Sequence, residues 1–182
     1  MTTETTTKRI PANAYNDLFL DGDDIVVIDF EDLETACELG VERNEFDLPE
    51  LSVVYRGGCI VRNFPCVYVQ DKHLADYTFE NCGEVHLVNS SLRYSEIANA
   101  RAIYCVDSVV SKTEFFEMTT ERDGQALVTL VSSNLYQCDF RNIVVQTNGY
   151  LCRLFEDSEV NDCTHIDRYP DKEVMELYDC CD

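Results

Sequence analysis

The stretch VHLVNSSLRYSEI, residues 85–97, recurs eighteen positions later as IYCVDSVVSKTEF, residues 103–115. Two more windows carry the same pattern, VYVQDKHLADYTF from Val67 and VTLVSSNLYQCDF from Val128. Aligned on their first residues they form apolar columns: Val67, Val85, Ile103 and Val128 at the start; Val69, Leu87, Cys105 and Leu130 two on; Leu74, Leu92, Val110 and Leu135 seven on; Phe79, Ile97, Phe115 and Phe140 twelve on. The last three columns stand five apart, whereas an amphipathic helix repeats its apolar residues at three and four. A unit this short cannot close its own hydrophobic face, so it must stack on copies of itself and bury like residues above like. That requirement leads to a parallel β-solenoid whose coils rise by one strand spacing, about 4.8 Å.

The column four on, Asp71, Asn89, Asp107 and Ser132, reads as a corner, because Asx and Ser side chains bond to nearby backbone there. Ten on, Tyr77, Ser95, Thr113 and Cys138 are mostly small. The step from Ile103 to Val128 is 25, and TTERDGQ at 119–125 has the size and polarity of an inserted loop. Open ends of such a stack need covers. At the start, DIVVIDF (24–30) reads as a strand. DLETACELG (32–40) reads as a short helix with Leu33, Ala36 and Cys37 on one side, Asp32 at its start and Gly40 past its end. At the finish, YPDKEVMELYDCC reads as a capping helix, with Pro170 and Asp171 in its first turn and Val174, Leu177 and Tyr178 as an apolar stripe. The expected organisation is an N-terminal cap over 1–50, a solenoid over 51–166 and a C-terminal helix and tail over 167–182.

The formal charge of −21 excludes a simple electrostatic nucleic-acid binder, since contact with phosphates depends on Lys and Arg. Residues 1–50 carry 14 acids against 3 bases, residues 51–150 carry 11 against 8, and residues 151–182 carry 10 against 3. The repeated middle is nearly neutral and the ends are acidic. A salt-adapted proteome would have made the middle acidic too. Ten cysteines are scattered without a CxxC pair, and the N-terminal MTTETTTKR has no apolar h-region. The expectation is a cytoplasmic protein with reduced thiols, many acting as small core residues, and with no membrane span.

The segments SSLRYSEIANARAIY (90–104) and NLYQCDFRN (134–142) resemble pentapeptide-repeat proteins. In that family a small residue, a polar one and then Leu or Phe recur every five residues, as Ser90-Ser91-Leu92, Ser95-Glu96-Ile97 and Cys138-Asp139-Phe140 do here. The family's coils, longer than these, form a right-handed quadrilateral β-helix. The looser right-handed β-helix family, whose coils read like VHLVNSSL, matches equally well. The resemblance spans residues 67–142 and implies a right-handed β-helix; joined with the repeat of eighteen and the capping segments, it makes the expected fold mainly β, a right-handed parallel β-helix of 18-residue coils with short helical caps at both ends.

Glu96, Glu114 and Asp139 occupy the column eleven on, after Thr78. Beside an inward column they should face outward, as a ladder of carboxylates about 5 Å apart. A solvated face is the plain reading of such a ladder; the sharper one is an anionic strip that meets a basic partner. LDGDDIVVIDFEDLE (20–34) is the densest acidic run, and its order of Asp and Gly departs from a calcium loop. His73, His86 and His165 follow no ligand spacing with each other or with cysteine, so the linear sequence offers no metal motif and implies no cofactor. GxSxG, Walker and dinucleotide motifs are absent. A polysaccharide-active β-helix enzyme would want long groove loops and basic residues, which are scarce here.

Acidic solenoids of the pentapeptide-repeat kind include proteins that resemble duplex DNA and occupy the DNA site of an enzyme. The resemblance therefore implies a non-enzymatic DNA-mimic inhibitor of the anti-CRISPR or anti-restriction type, encoded by a phage. Its partner would be a basic nucleic-acid-binding protein such as a Cas nuclease, restriction enzyme or topoisomerase, without direct contact to nucleic acid. The candidate partner-binding residues are Asp21, Asp23, Asp24, Asp29, Glu31, Asp32, Glu96, Glu114, Asp139, Glu156, Asp157 and Glu159. The rival expectation is a β-solenoid assembly module, a homodimer for example, whose charge serves solubility.

Overall fold

The computed structural model describes residues 17–19, 25–121, 124–146, 148–165 and 175–177. It is mainly β, and three sheets of eight, five and seven strands hold nearly all of the strands. The chain passes through them in a fixed order. Cys66–Gln70 lies in the eight-stranded sheet, His73–Ala75 in the five-stranded one and Tyr77–Glu80 in the seven-stranded one. Glu84–Val88, Ser91–Arg93 and Glu96–Ala98 follow, each parallel to its counterpart in the pass before. Three more passes do the same, ending with Tyr150–Phe155, Glu159–Asn161 and Thr164–His165.

The apolar columns are register partners. Val67, Val85, Ile103 and Val128 pair in series, as do Leu74, Leu92, Val110 and Leu135, and Phe79, Ile97, Phe115 and Phe140. All twelve are at most 2% exposed, and the Phe115 and Phe140 rings stack at 4.6 Å. The unit of eighteen divides unequally. Leu87 to Leu92 and Leu92 to Ile97 are steps of five, but Ile97 to Cys105 is a step of eight. The short sides are strands of three or four residues with one or two inward side chains, and the long side is the five-residue strand of the eight-stranded sheet, with two. That long side is where the five-residue pattern lapses.

Each side ends in a residue with φ between 46° and 64°: Asp71, Asn89, Asp107, Ser132 and Glu156 at the first corner; Asp76, Tyr94, Lys112, Gln137 and Asp162 at the second; Asn63, Asn81, Asn99, Glu117 and Asn142 at the third. Asn and Asp tolerate this left-handed region best, which accounts for the corner column legible in the sequence. The residue after a corner is in most passes turned inward, apolar at the third corner (Phe64, Cys82, Ala100, Met118 and Ile143) and small and hydroxylic in the middle passes of the first. At the first corner these are Ser90, Ser108 and Ser133, all nearly inaccessible. Their hydroxyls accept backbone N–H groups from the pass before: Lys72 N to Ser90 Oγ at 3.1 Å, Ser90 N to Ser108 Oγ at 3.0 Å and Ser108 N to Ser133 Oγ at 2.9 Å.

At the N-terminal side, Val26–Asp29 is a strand of the seven-stranded sheet, parallel to Cys59–Arg62. The helix is Leu33–Glu38, capped by Asp32 and closed by Gly40 at φ 95°. Its buried residues differ from the expected side. Ala36 and Leu39 are buried, whereas Leu33 and Cys37 are exposed. A 3-10 turn at Phe30–Asp32 precedes the helix and sets its phase, and Phe30, tilted against Phe64 at 5.2 Å, supplies the apolar contact instead.

The expected C-terminal helix is corrected at Met175–Leu177, which is a strand parallel to Tyr150–Phe155. An open sheet edge offers hydrogen bonds that a marginal helical stripe cannot match. The remainder of 167–182 lies outside the described residues. The insertion at 119–125 has a counterpart one pass later. Thr119 bridges Val144, and the step from Val128 to its partner Cys152 is 24.

Candidate functional site

The carboxylate ladder forms. Glu96, Glu114 and Asp139 are successive Cα partners on the seven-stranded sheet, and alternation with the buried Ile97, Phe115 and Phe140 turns them outward. It is partly neutralised. Arg141, two residues beyond Asp139 on the same face, places Nη2 3.1 Å from Glu114 Oε1 and 3.5 Å from Asp139 Oδ2. Thr164 donates to Asp139 as well. Glu96 stands exposed above this pair.

Several of the other expected acids hold the fold together. Asp29 accepts Arg62 Nε at 2.6 Å, Asn63 Nδ2 at 2.9 Å and the Glu31 N–H at 3.0 Å. Burial alone would raise its pKa, but these three donors outweigh burial and hold the carboxyl below the ordinary value. Asp32 is spent as the helix cap, accepting the Thr35 N–H and hydroxyl. Glu31 is exposed. Glu156 sits at a corner and accepts the Ser132 hydroxyl, Asp157 is exposed, and Glu159, on the five-stranded sheet, accepts Asn161 Nδ2 at 3.0 Å. The acids thus occupy different sheets and corners, and the structure does not gather them into one strip. Asp21, Asp23 and Asp24 lie outside the described residues.

A second constellation stands on the outer face of the eight-stranded sheet, where sequence spacing had offered none. Tyr68, His86 and Tyr104 are register partners, and their rings stack with centroids 4.4 and 4.7 Å apart. Beside them Cys66 and Glu84 are also partners. Glu84 bonds on both oxygens, Oε2 to His86 Nε2 at 3.2 Å and Oε1 to Arg101 Nη2 at 2.7 Å. The sulfur of Cys66, the carboxylate of Glu84 and the ring nitrogen of His86 all lie within 4.8 Å of one another.

The local environment sets their protonation. Burial disfavours the charged imidazole and lowers the His86 pKa, partly offset by Glu84. His86 is therefore a neutral ring at neutral pH. Burial would raise Glu84, but its bonds to His86 and Arg101 prevail and hold it below the usual range. Burial and the Glu84 charge push the Cys66 thiol up, against Arg101. The signal for this group was present in the sequence as an outward column rather than a local motif. A register of eighteen puts Cys66 beside Glu84, and strand alternation puts His86 on the same face as Glu84.

A cleft of 460 Å3 opens beside Val54–Arg56, the strand that pairs with Asp17–Phe19. It is lined by both signs, Arg56, Lys72 and His73 with Asp71 and Asp76, and shows no bias toward one ligand charge. Among the described residues no helix is long and apolar enough to cross a membrane. Comparison with protein-family models, with curated proteins and with solved structures found no match to this chain.

Proposed function

We propose that this chain is a right-handed parallel β-helix that acts without catalysis, as an acidic decoy in the basic nucleic-acid groove of a DNA- or RNA-processing enzyme. The helical reading draws support from the fixed order in which the chain visits three largely parallel sheets. The functional reading rests on one observation, an in-register row of outward carboxylates at Glu96, Glu114 and Asp139 within a chain of net charge −21. Carboxylates repeated at strand spacing meet Lys and Arg as a phosphate backbone would, and affinity of that origin falls with salt. A Cas nuclease, restriction enzyme or topoisomerase is the class of partner this chemistry suits, and a phage is the natural source of such an antagonist.

The test is capture on the tagged full chain from a low-salt lysate, then elution with duplex DNA and separately with about 0.5 M salt, which shortens the screening length to a few ångströms. A nucleic-acid enzyme released by both eluents is the expected result. Retention of proteins indifferent to duplex DNA would overturn the reading.

One observation favours a second reading, assembly through a sheet face. Val109 and Tyr136 are exposed on neighbouring strands of the five-stranded sheet, with Tyr94 exposed at the corner. An oligomer that survives charge reversal at Glu96 and Glu114 would favour it.

A further inference from the structure

We propose that Cys66, Glu84 and His86 form a binding site for a single zinc-like divalent cation. The three donors differ in kind, a thiolate sulfur, a carboxylate oxygen and an imidazole nitrogen, and that set suits zinc rather than calcium or magnesium. Their arrangement is built by the sheet. Cys66 and Glu84 are direct register partners on adjacent strands, and His86 is two residues along on the same face. The His86 ring is clamped between Tyr68 and Tyr104, which fixes its plane and aims Nε2 at Glu84 Oε2, 3.2 Å away.

Donors around tetrahedral zinc stand about 3.3–3.8 Å apart, given bond lengths of about 2.0–2.3 Å. The nitrogen and oxygen, 3.2 Å apart, stand just short of that spacing and need to part only slightly. The Cys66 sulfur, within 4.8 Å of both, reaches tetrahedral spacing by an approach of at most about 1.3 Å.

The surrounding groups complete the site. Arg101 holds Glu84 Oε1 at 2.7 Å, so the carboxylate presents Oε2 alone and binds through one oxygen, oriented as ligating carboxylates commonly are. On binding, the Cys66 thiol releases its proton to solvent, and the His86 proton resides on Nδ1 so that Nε2 carries the lone pair. Thiolate and carboxylate together balance the dication. Three protein donors leave one position of the tetrahedron for water, as in zinc sites open to a further ligand.

The test uses the full chain, stripped with chelator and titrated with cobalt(II) near neutral pH. The expected result is one equivalent bound, with the visible absorption of tetrahedral cobalt and a thiolate-to-cobalt charge-transfer band, both displaced by zinc. Cys66→Ser should abolish the charge-transfer band, and His86→Gln and Glu84→Gln should each weaken binding by about tenfold or more. Replacing Cys180 and Cys181 by serine should change nothing. The proposal is overturned by the lack of a tetrahedral spectrum, by a charge-transfer band that survives Cys66→Ser, or by one lost with the tail cysteines. X-ray absorption of the zinc-loaded wild type checks it without variants: a nearest shell of one sulfur with nitrogen and oxygen supports it, and two or more sulfurs overturn it.

Discussion

Replacing Ser108 by alanine tests whether the buried serine column couples one pass of the chain to the next. The Ser108 hydroxyl accepts the Ser90 N–H at 3.0 Å and shares its one proton between the Val106 and Leu87 carbonyls at 2.7 and 3.1 Å. Alanine keeps the volume nearly unchanged, and the Val106 carbonyl retains the Asn89 N–H at 2.9 Å. The main loss is therefore the acceptor for Ser90 N–H, in a corner where Ser90 is 4% and Ser108 2% exposed. A buried donor left without a partner costs about 1–3 kcal/mol. With a urea dependence of about 2 kcal/mol/M, the unfolding midpoint should fall by about 0.5–1.5 M at unchanged slope. The control is Ser91→Ala, whose hydroxyl meets only the exposed His73 ring at 2.9 Å and whose loss should cost under about 0.5 kcal/mol. A Ser108→Ala midpoint no lower than that of Ser91→Ala would refute the coupling.

Gly83→Ala should destabilise for a different reason: a Cβ there would stand 2.3 Å from the Pro65 carbonyl oxygen, a backbone atom that cannot swing aside. The overpacking cost is about 1–3 kcal/mol, visible as a melting midpoint several degrees lower, and an unchanged midpoint would show that the two segments are not packed this closely. Stability should also fall with acid in stages. The His86 pKa is below its ordinary 6.5 in the folded chain, so the unfolded chain takes up the proton first, and its contribution is complete above pH 6.5 and lost as pH falls below it. Glu84 and Asp29, both held down, add losses that begin below their ordinary values of 4.5 and 3.8. Urea midpoints measured across this range should show His86→Gln flattening the decline that begins below pH 6.5 while leaving the Asp29 part of the later loss, since Glu84 owes part of its own depression to His86; a wild-type midpoint that does not fall below pH 6.5 until the carboxylates titrate contradicts the assignment.

The inward residues were legible in the sequence because burial repeats. Leu74, Leu92, Val110 and Leu135 recur with little variation, and so do the Asx corners, since the left-handed backbone there narrows the choice of residue. Outward residues are not under that constraint, and their meaning depends on neighbours across strands. The group of Cys66, Glu84 and His86 joins two columns and two passes, so no local ligand spacing reveals it. Arg141 was invisible for the same reason: its effect on Glu114 requires the register between Glu114 and Asp139. At the chain end the failure was one of competition. Val174, Leu177 and Tyr178 carry a helical stripe, yet the edge of Tyr150–Phe155 draws Met175–Leu177 into a strand, and no inspection of the segment alone contains that edge.

These placements divide the acidic residues into two populations, and the division bears on the decoy reading. Asp29, Asp32 and Glu84 are structural: each accepts at least two hydrogen bonds, and removing one would disturb the fold before it disturbed a partner. Glu114 and Asp139 share Arg141, which offsets one of their two charges. Glu31 and Glu96 are exposed, and most of the charge excess belongs to the segments before residue 51 and after residue 150. A basic groove that binds this chain must therefore gain most of its attraction from the two ends, with Glu96 and the residual charge of the Glu114 and Asp139 pair as the ladder's contribution. Charge reversal at Glu31 and Glu96 separates binding from folding, because neither side chain braces a sheet. Loss of a partner at unchanged unfolding midpoint would assign the charge to recognition, and retention of the partner would assign it to solubility.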